Sequence, residues 1–283
     1  MAKKILLFGA TGFIGSSFKG ALEKKGYEVH GPRIEVTDAS EVQKTFTEIR
    51  PDIAINATGK TGAPNVDWCE THPMETLMVN VSGSLNIAAI AYGMGVHIVQ
   101  VCSGCLYSGD NGGKGFTEES EPNYSGSLYT RSRIYSEKLL KEFPNVLQLR
   151  IRIPLIGRPH PKNLIDKLLR YPTMINIPNS CTVMEDFIPA AIQLMEMGEK
   201  GVFNMTNIGA MDHKSIMEMY KEIVDPAFEI SLMPEKEQAE LCLRRSNCVL
   251  NTDKREKRGV HMPPLADSLR RILKEYKANA KKT

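Results

Sequence analysis

No apolar run in this sequence approaches the roughly 20 residues needed to span a bilayer, so no membrane segment is expected. The first apolar run, residues 5–8, is short and glycines interrupt it at once, so no secretory signal is read there. A strong charge bias is also missing. Lys and Arg number 36 against 33 Asp and Glu, and a formal net charge of +3 gives no argument for a nucleic-acid partner. Part of that excess sits in Lys277, Lys281 and Lys282, which read as a solvated tail. The six cysteines are scattered. They lack the second pair, or the His pair, that a zinc site needs, so no metal is expected. Reduced thiols and a cytoplasmic location fit this usage. Cys102 and Cys105 form one C-x-x-C, but Cys102 closes a strand-like run, whereas a thioredoxin-type motif opens a helix. Internal repeats and low-complexity linkers are absent as well.

What remains is an ordinary globular composition, 42% hydrophobic and 24% charged over 283 residues. That length can bury one large core or a core plus a smaller lobe. Apolar strand-like runs at residues 5–8, 27–30, 51–59 and 96–101 alternate with helical spacing at residues 16–25, after Asp38 and at 77–93. This cadence predicts a Rossmann-type, doubly wound parallel α/β sheet. The first strand breaks into Gly9-Ala10-Thr11-Gly12-Phe13-Ile14-Gly15, a G-x-x-G-x-x-G turn rather than the G-x-G-x-x-G of the dehydrogenase fingerprint. Gly9 would permit the tight turn, Gly12 the approach of backbone to a pyrophosphate, and Gly15 the packing of helix on strand. The N–H groups that open the helix would then face the anion. Gly9, Thr11, Gly12, Phe13, Ile14 and Gly15 are therefore the expected phosphate-binding segment.

The second strand ends in Gly31-Pro32-Arg33, without the acidic residue that binds the ribose of NAD. A guanidinium there suits a 2′-phosphate, so Arg33 favours NADP; the plain alternative is an exposed loop arginine. Asp38 reads as a helix N-cap or an adenine contact. Asn56-Ala57-Thr58-Gly59 closes the third strand with small residues, which leave room for a ligand at the carboxyl edge of the sheet. The strand at residues 96–101 runs into Cys102-Ser103-Gly104-Cys105, and a polar loop leads to a helix opening at Tyr129. Tyr129 and Arg133, four apart, share a face. A phenol beside a cation can trade protons with a carbonyl, although an ordinary aromatic–base pair has the same spacing. After a strand at residues 146–153, Pro154, Gly157, Pro159 and Pro161 break regularity. The boundary is accordingly placed there, with a cofactor domain over 1–156 and a substrate portion over 157–283, from which 183–206 returns to the first domain.

The glycine turn, Ser103 and the Tyr129 helix resemble the extended short-chain dehydrogenase/reductases. Thr61-Gly62-Ala63-Pro64-Asn65-Val66-Asp67-Trp68-Cys69-Glu70, Asn176-Ile177-Pro178-Asn179-Ser180 and Arg245-Ser246-Asn247 narrow the resemblance. They are similar to the nucleotide-rhamnose synthase/epimerase-reductases of plants, relatives of dTDP-4-dehydrorhamnose reductase. The likeness spans nearly the whole chain. It implies a 3,5-epimerase/4-reductase that converts an NDP-4-keto-6-deoxyglucose, with UDP or dTDP as carrier, to NDP-rhamnose using NADPH. By the same resemblance, Ser103 and Tyr129 would polarise and protonate the C4 keto oxygen. Cys105 would move protons at C3 and C5, with Lys167 as its partner and His160 ranked second. Asn65, Asn163, Asn179, Arg245 and Asn247 would meet the nucleotide sugar. The sequence does not give the oligomeric state, for which a homodimer is one candidate. One departure stands out: the family pattern is Tyr-x-x-x-Lys, and Arg133 occupies the lysine position. Two alternatives stay open on that account, an epimerase with weak or absent reduction and a non-catalytic NADP-binding regulatory subunit like the β subunit of methionine adenosyltransferase.

Overall fold

The computed structural model describes residues 2–280, so Lys281 and Lys282 of the basic tail lie outside the described residues. The strands, in chain order, are β1 (Lys4–Phe8), β2 (Glu28–His30), β3 (Ile53–Asn56), β4 (His97–Ser103), β5 (Val146–Ile151), β6 (Pro154–Leu155), β7 (Thr182–Val183) and β8 (Gly201–Asn204). Six of them form one sheet in the order β2-β1-β3-β4-β5-β8, while β6 pairs in parallel with β7. The β1–β2, β1–β3 and β3–β4 pairings are all parallel. This is the doubly wound Rossmann-type architecture that the alternation of elements predicts.

The apolar runs explain why the sheet is central. Ile5, Leu6 and Leu7 are wholly buried, as a strand covered on both faces requires. Leu6 and Phe8 enter one cluster with Val42, Phe46, Ile87 and Ile98, and the Phe8 and Phe46 rings lie 5.8 Å apart. Emptying a site such as Phe46 would cost about 3–5 kcal/mol. From β1 the chain goes to β2 on one side and then to β3 on the other. The order therefore reverses between β1 and β3, and ligands of open α/β sheets bind at the carboxyl ends beside such a reversal.

Two compact units emerge. The first comprises residues up to Leu106, Pro122–Arg150 and Ala191–Phe203; the second comprises Tyr107–Glu121, Ile151–Ala190 and residues from Asn204 onward. The chain thus changes unit after Arg150, earlier than the expected break at 156/157. Ile153, at φ 39°, ends the extended run, and Pro154 and Leu155 pair with Thr182 and Val183 of the second unit. Residues 107–121 also belong to the second unit, because Gly109 donates to Asn247 O at 2.8 Å and Phe116 to Val249 O at 2.9 Å. The second unit has its own core, in which Ile165, Leu168, Ile216, Met217, Leu269 and Ile272 pack together. The helical stretch expected over 77–93 is composite: Pro73–Leu77, a wider π-type winding over Met78–Gly83, then Ser84–Gly93. Among the described residues, no helix is long and apolar enough to cross a membrane.

Candidate functional site

At the glycine turn, Gly9 has φ +76°, and a Cβ there would stand 3.0 Å from the carbonyl carbon of Ala57 at the end of β3. Only glycine meets both conditions. A Cβ on Gly15 would come within 2.0 Å of Gly9 O, so the helix Phe13–Lys24 starts hard against the turn. Gly12 is its N-cap, without a side-chain cap and with no acid in the first turn. No acidic side chain of the helix itself competes there with an outside anion, which a helix start favours. Thr11 is exposed, Phe13 buried and Ile14 half-buried around this cradle. Gly31 passes so close to Ala10 that a Cβ would meet the alanine Cβ at 2.4 Å. Arg33 follows two residues later and is exposed. Asp38 caps the helix Ala39–Ile49, accepting from Ser40 N at 2.8 Å and Glu41 N at 3.1 Å.

Side chains at the ends of β3 and β4 form a second cluster in the same unit. Asn56 is buried, donating to Gln100 Oε1 at 2.9 Å and accepting from Thr58 N and Oγ1 at 3.0 and 2.6 Å. It fixes the path into Gly59. Ser103 Oγ accepts from Cys105 N at 3.1 Å, and Thr130 Oγ1 donates to Cys105 O at 3.0 Å. The backbone of Cys105 is clamped from both sides while its side chain stays half-buried. Cys102 differs: burial pushes its thiol up to about 12, and Gln148 Oε1 lies 3.5 Å from its Sγ.

Ser127 caps the next helix, Leu128–Leu140, by accepting from Thr130 N at 3.2 Å. The first turn then presents Tyr129, and Arg133 lies one turn on, its Cζ 5.5 Å from the Tyr129 ring centroid. Arg133 is only 8% exposed, and its buried Nε has no hydrogen-bond partner. Sequence reasoning missed Asn80. Its amide accepts from Lys60 N at 2.8 Å, donates to Lys60 O at 3.0 Å and donates to Ser132 Oγ at 3.1 Å. It thereby ties the loop after Gly59 to the Tyr129 helix. Asn65 opens the short helix Trp68–Thr71, its Oδ1 accepting from Asp67 N at 2.8 Å.

The remaining candidates lie in the second unit. Lys167 is half-buried on the short helix Leu164–Leu168. His160 Nδ1 accepts from Lys162 N at 3.0 Å; burial, with Arg158 and Lys162 adding repulsion, lowers its pKa. Asn163 is buried and engaged by backbone, donating to Ile156 O and Arg158 O at 3.0 and 3.1 Å. Asn179 is also buried, donating to Ile177 O and Asn247 Oδ1, each at 3.0 Å, and accepting from Cys248 N at 3.1 Å. These two asparagines hold loops. Asn247 Nδ2 donates to Arg245 O at 3.2 Å, and half-buried Arg245 donates to Arg244 O at 2.9 Å. The second missed residue is Arg152. It is buried, donates to Asn179 Oδ1, and gives Ser246 Oγ and O bonds of 3.0 and 2.7 Å. It looked like the end of a strand, with nothing local to mark a buried cation.

The profile of the RmlD substrate binding domain matches residues 3–278. A bifunctional dTDP-4-dehydrorhamnose 3,5-epimerase/dTDP-4-dehydrorhamnose reductase of Arabidopsis thaliana is 34% identical over 277 residues, covering 95% of this chain and 92% of the relative. A trifunctional UDP-glucose 4,6-dehydratase/UDP-4-keto-6-deoxy-D-glucose 3,5-epimerase/UDP-4-keto-L-rhamnose-reductase of the same plant is 36% identical over 94% of this chain. The chain spans only 41% of that relative's length. The crystal structure of the UDP-rhamnose synthase of Acanthamoeba polyphaga mimivirus superimposes with a TM-score of 0.92 at 31% identity, over 97% of this chain and all of that one.

Proposed function

Because the chain belongs to the RmlD substrate-binding family, we propose that it converts an NDP-4-keto-6-deoxyglucose to NDP-rhamnose. It would epimerise C3 and C5 and reduce C4 with NADPH, with UDP or dTDP as the carrier. The observation that supports this reading is that the Leu128–Leu140 helix, which bears Tyr129 and Arg133, is tied through Thr130 to the backbone of Cys105, which in turn donates to Ser103 Oγ.

The residues present fit a dinucleotide. Gly9 and Gly15 leave a cradle that side chains would fill, the helix after Gly12 has no side-chain cap and no acid in its first turn, and the buried Nε of Arg133 has no hydrogen-bond partner. Asn56, Ala57, Thr58 and Gly59 line the β3 edge, and Arg33 is the choice for a 2′-phosphate. Asp38 serves this region as a helix cap. When bound, NADPH supplies the hydride for C4.

The chain's own groups handle the protons. Protons α to a ketone leave once the carbonyl oxygen is stabilised as it gains negative charge, and the Ser103 and Tyr129 hydroxyls are the donors for that oxygen. Cys105 as thiolate takes the proton as its C–H bond breaks. The return of a proton is assigned to Lys167, with His160 as second choice. Tyr129 then gives its phenolic proton to the C4 oxygen. Asn65, Arg245 and Asn247 are assigned to the nucleotide sugar, while Asn163 and Asn179 act through the loops they hold. A homodimer is proposed with this activity.

Mass spectrometry of products from UDP- and dTDP-4-keto-6-deoxyglucose with NADPH tests the proposal. A 6-deoxyhexose carrying two more hydrogens is the expected product. No oxidation of NADPH with either substrate would sink the reductase assignment.

A further inference from the structure

Gly59 follows β3, and a Cβ built on it would stand 2.2 Å from Nη2 of Arg133 and 3.4 Å from its Cζ. The first distance is far inside any contact a real Cβ makes. The guanidinium therefore occupies the space a side chain at residue 59 would take, and Asn80 Oδ1 lies 3.7 Å from the same point. The Arg133 Cζ also lies 5.5 Å from the Tyr129 ring centroid. A buried cation between a backbone and an aromatic ring costs free energy unless something accepts its hydrogen bonds. Lysine, with a compact head on a flexible stem, needs no such flat slot; arginine does, and its fork presents neighbouring donors in one plane.

We infer that Gly59 and Arg133 form one coupled element, in which the missing side chain at residue 59 admits the planar fork and so determines which cation can serve this position. The slot thereby fixes where the Arg133 guanidinium stands, with its buried Nε left to an acceptor on the dinucleotide. Gly59 is a positioning residue here, acting through Arg133. The inference rests on the dinucleotide reading above and adds to it why arginine works where the family has lysine.

The test uses the full chain as wild type, Gly59→Ala, Arg133→Lys and the double variant. NADPH affinity is read by cofactor fluorescence, and the melting temperature is taken without cofactor. Gly59→Ala should weaken NADPH about tenfold or more, as expected for groups in direct contact. Arg133→Lys should weaken it less. The double variant should match Arg133→Lys alone, because the slimmer head leaves room for the added methyl. If Gly59→Ala cannot fold, recovery of folding and NADPH binding in the double variant counts as the same rescue, and its failure overturns the inference. Losses that multiply, or wild-type affinity in Gly59→Ala, also overturn it while leaving the cofactor reading intact. A wild-type chain that does not bind NADPH overturns both.

Discussion

The Glu137 carboxylate receives the fully buried Arg150 guanidinium through two bonds, Nη2 to Oε1 at 2.6 Å and Nε to Oε2 at 2.7 Å. The pair joins the helix that carries Tyr129 and Arg133 to β5. Removing one partner strands the other charge in the interior. Glu137→Ala should therefore lose about 3–5 kcal/mol in urea unfolding, while replacing both partners with apolar residues of like volume should recover much of that. Equal losses in the single and paired variants would show that the ion pair is not what holds the helix.

Gly15 gives the second prediction. A methyl there would meet Gly9 O at 2.0 Å, and backbone must shift to relieve it. Overpacking of this kind costs about 1–3 kcal/mol. Because the shift displaces the N–H groups of the helix start, Gly15→Ala should lower NADPH affinity by more than its loss of stability explains. Calorimetric titration beside a melting curve makes the comparison.

Cys105 carries the epimerisation proposal. In D2O with the 4-keto substrate, Cys105→Ala should stop deuterium entering at C3 and C5, as followed by proton NMR. Uptake at the wild-type rate would remove the thiol from the mechanism. Cys102→Ala should leave exchange intact, since burial keeps that thiol protonated up to about 12.

His213 sets an acid limit on stability. Burial, with Arg152 adding repulsion against the opposing pull of Asp212, holds its pKa down from 6.5 to about 4. The unfolded chain therefore binds the proton more tightly. The stabilisation is complete above about pH 6.5 and fades as pH falls toward 4, by about 3 kcal/mol in all. His213→Gln should flatten the unfolding free energy across that window; an unchanged slope would place the acid sensitivity elsewhere.

Much of this was legible because it is local. The strand–turn–helix at Gly9 to Gly15, the alternation of elements and the Tyr129–Arg133 spacing are short-range patterns, and the sheet follows from them. Long-range pairing was not legible. Residues 109–126 read as a polar loop, yet the backbone of Gly109 and Phe116 pairs with residues 247–251. Asn163 and Asn179 read as ligands for substrate, and only the folded chain shows their amides engaged with backbone and, for Asn179, with Asn247. Arg152 follows directly on β5 and Asn80 sits in a helical stretch, where neither charge nor amide announces a contact so distant in sequence.

The wide winding at Met78–Gly83 has a consequence for how this segment can vary. Such a winding holds one residue more than a regular helix needs, and within it Asn80 is buried, one amide gripping both the backbone N–H and the backbone C=O of Lys60. Deleting one residue would give a tidier helix, rotate the preceding side chains by roughly 100°, and release the loop that borders Arg133. Local irregularity is, at this point in the chain, what keeps the neighbouring loop in place.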